Sequence, residues 1–230
     1  MLAELRNISK HYEEPGGNGR NQVLDGITLL VPETGSIAIV GPSGSGKSTL
    51  LHILGTLDRP SAGKVILDNR EVSTLDDAGL AMLRNRFIGY IFQMHHLLPQ
   101  LTLMENVLLP VLAQKEKTAR NPAIERAERL ISRVGLKNLI HHRPSQLSVG
   151  ERQRAAVVRA LINQPRLILA DEPTGSLDTE NAVMLGQLLY ELNHEQKTAL
   201  VVVTHSMELA SRMDSIYRLG SGKLQLIKDE

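Results

Sequence analysis

Residues 36–54 have the sequence SIAIVGPSGSGKSTLLHIL, and the order of the segments in this stretch decides the fold. Residues 37–40 are a short apolar run, which is typical of a central strand in a parallel sheet because both faces of such a strand are covered. A glycine-rich turn over residues 41–46 follows, and the residues after Ser48 have the apolar spacing of an amphipathic helix. Strand, turn and helix in this order predict an α/β domain with an anion site at the start of the helix.

The turn and the start of the helix match the pattern G-x-x-x-x-G-K-[ST], in which backbone N–H groups surround phosphate oxygens. Lys47 is expected to reach the β- and γ-phosphates of a nucleotide, and the Ser48 hydroxyl is expected to ligate Mg²⁺. A glycine-rich turn without a ligand is the alternative, but both the spacing and the context favour phosphate binding. The predicted nucleotide-binding residues of this loop are Gly41, Pro42, Ser43, Gly44, Ser45, Gly46, Lys47, Ser48 and Thr49.

Two carboxylates, Asp171 and Glu172, directly follow a second apolar run over residues 167–170. The carboxyl ends of parallel strands meet at one edge of a sheet. These acids are therefore expected beside the glycine-rich loop at residues 41–48, which we call the phosphate loop. Asp171 is predicted to hold Mg²⁺ through a water, and Glu172 to orient and deprotonate the attacking water. The alternative is an ordinary polar strand end, which the neighbouring phosphate loop makes the weaker interpretation.

The remaining pattern predicts the architecture. Residues 200–203 form a third apolar run, and the preceding residues 181–195 have apolar side chains at helical spacing, which indicates a strand–helix–strand crossover. The edges differ, because an antiparallel flank and a final hairpin with its turn at residues 220–222 are predicted there. The predicted flanking strands are residues 2–8, 23–31 and 64–68, and residues 13–22 are expected to form a loop.

We predict a single domain over residues 1–230 with an inserted helical subdomain. The catalytic core is expected over residues 1–90 and 166–230. The helical subdomain is expected over residues 91–165, where helix-like patterns are separated by prolines.

The composition excludes several classes of protein. Lys and Arg total 26 against 25 Asp and Glu, which disfavours a dedicated nucleic-acid-binding protein, and we predict no nucleic-acid partner. The chain has no Cys, which removes disulfides, thiolate metal sites and cysteine nucleophiles. Charges within residues 1–14 disfavour a signal peptide. No apolar run reaches the roughly 18 residues of a membrane-spanning helix, so the chain is not expected to cross a membrane by itself.

Further segments resemble the motifs of the ATP-binding cassette (ABC) family, in that family's order. Residues 147–154, LSVGERQR, resemble its signature, which is usually LSGGQ followed by a basic helix. Gln93 resembles its Q-loop, residues 176–178 its D-loop, and His205 its switch histidine. Tyr12 stands where the family stacks an aromatic ring on adenine.

This resemblance implies an ATP-hydrolysing enzyme with the P-loop NTPase (RecA-like) fold. It implies that Gln93 and His205 act with Glu172 in catalysis, and that Gln93 also ligates the Mg²⁺ bound with ATP. It further implies a head-to-tail dimer of two copies, in which each ATP lies between one copy's phosphate loop and the other copy's signature. The residues predicted to bind nucleotide outside the phosphate loop are Tyr12, Ser148, Gly150 and Asp178.

The signature departs from the family pattern at two positions. Val149 replaces the first glycine of the usual pair, and its side chain is expected to stiffen the signature loop or to crowd the incoming phosphate. Glu151 replaces the usual glutamine, although the Glu-Arg-Gln continuation also occurs in relatives.

Five further segments resemble the lipoprotein-releasing and macrolide-exporter branch of the family. The resemblance implies separate integral membrane subunits, a position at the cytoplasmic face of the inner plasma membrane, and release of lipoproteins from that membrane. Antimicrobial-peptide or macrolide export and a regulatory role in cell division are alternatives. A soluble cassette ATPase acting on DNA or ribosomes would carry a coiled coil or a second cassette, and neither is found in this sequence. The segments are residues 54–60, 88–93, 97–99, 102–107 and 173–178.

Residues 94–112 of the predicted lobe are unusually apolar. Exposed side chains there would mark a docking surface for the membrane subunits. The alternative is that these side chains fill the core of the lobe.

Overall fold

The computed structural model describes residues 1–13, 19–113 and 120–229, and every structural statement below concerns these residues. Their strands are β1 (Ala3–Glu13), β2 (Arg20–Val31), β3 (Ser36–Val40), β4 (Ala62–Leu67), β5 (Arg70–Glu71), β6 (Ile88–Ile91), β7 (Leu167–Asp171), β8 (Ala199–Thr204), β9 (Ser215–Gly220) and β10 (Lys223–Lys228). Their helices are α1 (Lys47–Leu54), α2 (Asp77–Phe87), α3 (Leu103–Leu112), α4 (Arg120–Arg133), α5 (Val149–Leu161), α6 (Thr179–Gln196) and α7 (Met207–Ala210).

The central sheet has six strands in the order β10-β9-β3-β8-β7-β6. All neighbouring pairs are parallel except β9 and β10, which form the predicted antiparallel hairpin. The mixed α/β fold predicted from the sequence is therefore confirmed. Because β3, β6, β7 and β8 run in the same direction, the residues that follow them lie at one edge of the sheet.

The antiparallel flank is also confirmed, as a four-stranded sheet in the order β2-β1-β4-β5. The predicted loop over residues 13–22 is shorter than expected, because β1 continues to Glu13 and pairs there with Arg20 at the start of β2. Residues 14–18 of this predicted loop lie outside the described residues.

Two apolar cores cover the two faces of the central sheet. Ile37 and Ile39 of β3 belong to the core shared with the antiparallel sheet, α1 and α2, whereas Ala38 and Val40 belong to the core shared with α3, α4, α5 and α6. Successive residues of a strand point to opposite faces, so the continuous apolar run is explained by a strand that is buried on both sides.

The helical subdomain, also called the lobe below, contributes to the core that contains Ala38 and Val40. Leu103, Val107 and Val111 of the apolar segment 94–112 are buried in it, whereas other members of the segment remain exposed. Part of this segment therefore fills the core, and docking of the membrane subunits on its exposed side chains stays a prediction. The division of the domain at residues 91–165 stays a prediction. None of the helices in the described ranges has the length and hydropathy of a membrane span.

Candidate functional site

The phosphate loop connects β3 to α1, and its shape depends on glycine. A Cβ at Gly41 would lie 2.3 Å from the Leu219 carbonyl oxygen, so any other residue would collide with backbone. Gly46 has φ +95°, and a Cβ there would lie 2.8 Å from Val23. These two positions accept only glycine without rearrangement, which explains why the loop is so rich in this residue.

The amine of Lys47 is buried inside this loop. It donates to the carbonyl oxygens of Gly41 (3.0 Å) and Pro42 (3.1 Å) and lies 3.8 Å from Glu172 Oε1. The hydroxyl of Ser45 is also buried and has no hydrogen-bond partner within the described part of the chain. A buried cation and an unpaired hydroxyl in one glycine-rich turn fit the binding of a phosphate group.

Asp171 ends β7 beside the start of α1, as predicted. Ser48 Oγ donates to its Oδ1 at 2.9 Å, and His52 Nε2 lies 3.8 Å from its Oδ2. Burial raises the pKa of Asp171 above its ordinary value, and the hydrogen bond from Ser48 opposes this effect. His52 was not predicted as a site residue, although its position four residues after Ser48 places both on one helix face.

The pair of Ser48 and Asp171 fits Mg²⁺. Hydroxyl and carboxylate oxygens are ligands that this ion prefers, and a protein usually supplies only one or two of them while phosphates and waters complete the shell. The described residues contain no group of three or more His, Cys, Asp and Glu side chains that could hold a metal ion.

Glu172 lies between Lys47 and His205. Its Oε2 accepts from the His205 backbone N–H at 3.1 Å and lies 2.9 Å from His205 Nδ1. Its backbone has φ +43°, in the left-handed region that non-glycine residues seldom adopt. Its own N–H donates to the Val203 carbonyl at 2.9 Å. The turn after β7 therefore points this carboxylate at the ends of two neighbouring strands.

Gln93 lies at the same edge, two residues after β6. Its carbonyl oxygen accepts a long hydrogen bond of 3.4 Å from Ser176 Oγ, and a Cβ at Gly175 would lie 3.1 Å from its Nε2. The described contacts thus connect Gln93 to the segment after Glu172 rather than to Ser48 or Asp171.

The signature and the D-loop form a second group, which adjoins the first where Ser176 contacts Gln93. Ser148 caps α5 by accepting from the Glu151 N–H, and Asp178 caps α6 by accepting from the Asn181 N–H at 2.9 Å. Asn181 Oδ1 lies only 2.6 Å from where a Cβ of Gly150 would be. Asn181, which was not predicted as a site residue, therefore brings the two predicted segments together.

Tyr12 forms a third group in the antiparallel sheet. It is 44% exposed, and its hydroxyl donates to Asp58 Oδ2 at 2.9 Å. Neither Asp58 nor Lys10, which also contacts Tyr12, was predicted from the sequence. The spacing of Lys10 and Tyr12 was a usable signal, since residues two apart on a strand share a face.

The family is decided by comparison with known proteins. The family model described as ABC transporter matches residues 24–175, which is more than half of the chain. The chain belongs to the ABC transporter family. This cassette is an ABC ATPase domain, as the sequence motifs predicted.

Solved structures resemble the cassette over its full length. The dimeric ATP-binding cassette MJ0796, in a post-hydrolysis state with ADP and Pi, is 37% identical with a TM-score of 0.90, covering 100% of this chain and 99% of that one. A second dimeric structure of MJ0796, described as a bacterial ABC transporter cassette, is 38% identical with a TM-score of 0.91 and the same coverage. The cbiO1 protein of Clostridium perfringens, part of the ABC transporter complex cbiONQ, is 24% identical with a TM-score of 0.83. This match covers 97% of this chain and 86% of cbiO1, and it supports the fold.

Proposed function

We propose that this cassette binds ATP with Mg²⁺, hydrolyses it, and thereby drives separate integral membrane subunits. The observation that carries this proposal is the set of contacts joining Lys47 to Glu172, Glu172 to His205, and Ser48 to Asp171. These five side chains come from the ends of two neighbouring parallel strands, β7 and β8, and from the start of α1.

Each of these residues has a distinct task in the proposed reaction. Lys47 neutralises charge on the phosphates, and Glu172 orients the attacking water and accepts its proton. His205 holds the Glu172 carboxylate in place and reaches the γ-phosphate, whereas Ser48 and Asp171 hold Mg²⁺. When bound, the ion withdraws negative charge from the phosphate oxygens. Gln93 is proposed to join this set once nucleotide is bound.

We further propose that two copies of the chain enclose each ATP, with the signature of one copy facing the phosphate loop of the other. Ser148 and Val149 are exposed at the start of α5, where the positive end of the helix dipole favours an anion. Asp178 is exposed beside them, and Asn181 links it to Gly150. The dimeric state of MJ0796 agrees with this arrangement.

Glu151 has a bearing on this dimer, because its carboxylate occupies the start of α5. Glu151 Oε2 accepts from the Ser148 N–H at 2.7 Å, and this bond holds the pKa of Glu151 below its ordinary value. Glu151 is therefore charged at neutral pH, and its charge opposes an approaching phosphate.

The substitution Glu151→Gln is expected to favour the closed dimer, in which two copies enclose ATP. Glutamine preserves the capping box but removes the charge. The concentration of a non-hydrolysable ATP analogue that gives half-maximal dimerisation should fall about two- to fivefold at low salt. Analytical ultracentrifugation measures this, with Glu128→Gln on the exposed face of α4 as the control. An unchanged or higher concentration would show that the charge does not oppose closure.

The membrane subunits are proposed to dock on the helical lobe. As in the sequence-based prediction, we propose that this lobe spans residues 91–165 and that the catalytic core spans residues 1–90 and 166–230. A groove of about 450 Å³ lies where the lobe meets the core, between α2, β6 and α5. Met94, Leu98 and Leu112 expose apolar side chains on the lobe, at 69%, 40% and 60%. The proposed occupant is a cytoplasmic helix or loop of the membrane subunit. Such a partner places the cassette at the cytoplasmic face of the inner membrane.

We propose release of lipoproteins from the inner membrane as the transport process. The support is the resemblance of the five sequence segments described above, which include residues 54–60 and 173–178, to the lipoprotein-releasing and macrolide-exporter branch.

Purification of the tagged chain from a detergent extract of its native cells tests the proposed partners. We expect integral membrane subunits to co-purify, and Leu98→Glu to reduce their recovery at least severalfold, while Leu226→Glu on the exposed face of β10 leaves it unchanged. Both variants should keep their ATP affinity, because neither position contacts the nucleotide residues. Recovery of ribosomes or DNA instead of membrane subunits would refute the transport proposal.

A further inference from the structure

A single carboxylate holds the ring of Tyr12 from two sides. Asp58 Oδ2 accepts from the Tyr12 hydroxyl at 2.9 Å, and its Oδ1 accepts from Lys10 Nζ at 2.6 Å. The same ammonium group lies over the Tyr12 ring, 4.9 Å from its centroid. Burial raises the pKa of Asp58, but the hydrogen bonds from Lys10, Tyr12 and the Arg59 backbone N–H, together with the Lys10 charge, outweigh this effect and hold the pKa below its ordinary value. Asp58 is therefore an anion that pairs with both donors at neutral pH.

Asp58 is also tied to the helix that carries the phosphate loop. The N–H groups of Leu57 and Asp58 both donate to the His52 carbonyl, at 2.8 and 3.2 Å, so the segment continues directly from the last turn of α1. The first residue of α1 is Lys47. One continuous element thus has Lys47, the lysine proposed to bind phosphate, at its start and the anchor of Tyr12 at its end.

We propose that Asp58 is a positioning residue for the base of the nucleotide, which it serves by holding the Tyr12 ring at a set place relative to the phosphate loop. This inference rests on the proposed stacking of adenine on Tyr12. The Lys10 ammonium lies on one face of the ring, so the base stacks on the opposite face. A ring that is already oriented loses less side-chain freedom when the nucleotide binds.

This role predicts a selective effect. A ligand with a base uses both Tyr12 and the phosphate loop, whereas inorganic tripolyphosphate uses the loop alone. Loss of the Asp58 anchor should therefore lower the affinity for ADP and ATP without lowering the affinity for tripolyphosphate. A residue that merely supports the fold would change both affinities together.

Calorimetric titration of the full chain with Mg²⁺–ADP and with Mg²⁺–tripolyphosphate tests this role. We expect Asp58→Ala and Tyr12→Phe each to raise the Kd for ADP about three- to tenfold. The Kd of the double variant should not exceed the larger of the two single-variant values. The Kd for tripolyphosphate should stay within about twofold, and KM for ATP should rise while kcat does not. Asp77→Asn, an exposed acid paired with Arg59, is the matched control and should behave as wild type.

Three results would overturn the proposal. The first is an unchanged ADP affinity in Asp58→Ala, and the second is an additive loss in the double variant. The third is an equal loss of tripolyphosphate affinity, which would assign Asp58 a purely structural role. Tyr12→Ala separates this proposal from the one on which it rests. If Tyr12→Ala lowers the affinity for ADP but Asp58→Ala does not, only the positioning role fails. If Tyr12→Ala leaves the affinity for ADP unchanged, Tyr12 is not the residue on which the base stacks.

Discussion

Glu172→Gln is expected to bind ATP, to stop hydrolysing it, and to accumulate as a closed dimer with ATP retained. The amide cannot accept a proton from water, so single-turnover hydrolysis should slow about a hundred- to ten-thousandfold. Its oxygen can still accept from the His205 N–H that Glu172 bonds at 3.1 Å, so the local geometry is preserved. Because product formation no longer opens the dimer, size-exclusion chromatography in ATP should show a species of twice the mass.

The control for this prediction is Glu208→Gln. Glu208 is an exposed acid on α7, close in sequence to His205, and its described ion pair is with Arg212 at 3.9 Å. This variant should hydrolyse ATP at the wild-type rate. Normal turnover in Glu172→Gln would exclude Glu172 as the general base and would leave the proposed reaction without one.

Lys47→Ala is expected to lose most of the affinity for nucleotides. The side chain is the cation buried in the phosphate loop, and a hydrogen-bonded charge of this kind contributes about 1.5–3 kcal/mol. The Kd for ADP should therefore rise about ten- to a hundredfold. The Kd for tripolyphosphate should rise by a similar factor, because Lys47 is proposed to contact the phosphates and not the base. This result would contrast with the effect expected for Asp58→Ala.

Lys64→Ala is the matched control for Lys47→Ala. Lys64 is exposed and pairs with Glu71 at 2.9 Å on the antiparallel sheet, so its removal should leave both affinities unchanged. Thermal unfolding without ligand should accompany the titrations, because Lys47 also donates to two loop carbonyls. A folded Lys47→Ala variant with wild-type affinity would remove this lysine from the phosphate site.

The candidate site could be predicted from the sequence only where its residues are neighbours in a motif. The strand, turn and helix around residues 41–48 are recognisable because each needs particular residues: apolar side chains on both faces, glycines at Gly41 and Gly46, and a cation at the helix start. Asp171 and Glu172 could be placed beside this loop because parallel strands end at a common edge.

The sequence by itself therefore determined the fold class, the identity of the phosphate loop and its acids, and the family motifs. Only the tertiary structure decided which side chains hold these groups in place. Asp58 lies 46 residues from Tyr12, and Asn181 reaches Gly150 from a different helix. Such contacts depend on strand register, helix packing and turn geometry, and hydrophobic periodicity along a single chain carries no information about which distant polar side chains will meet.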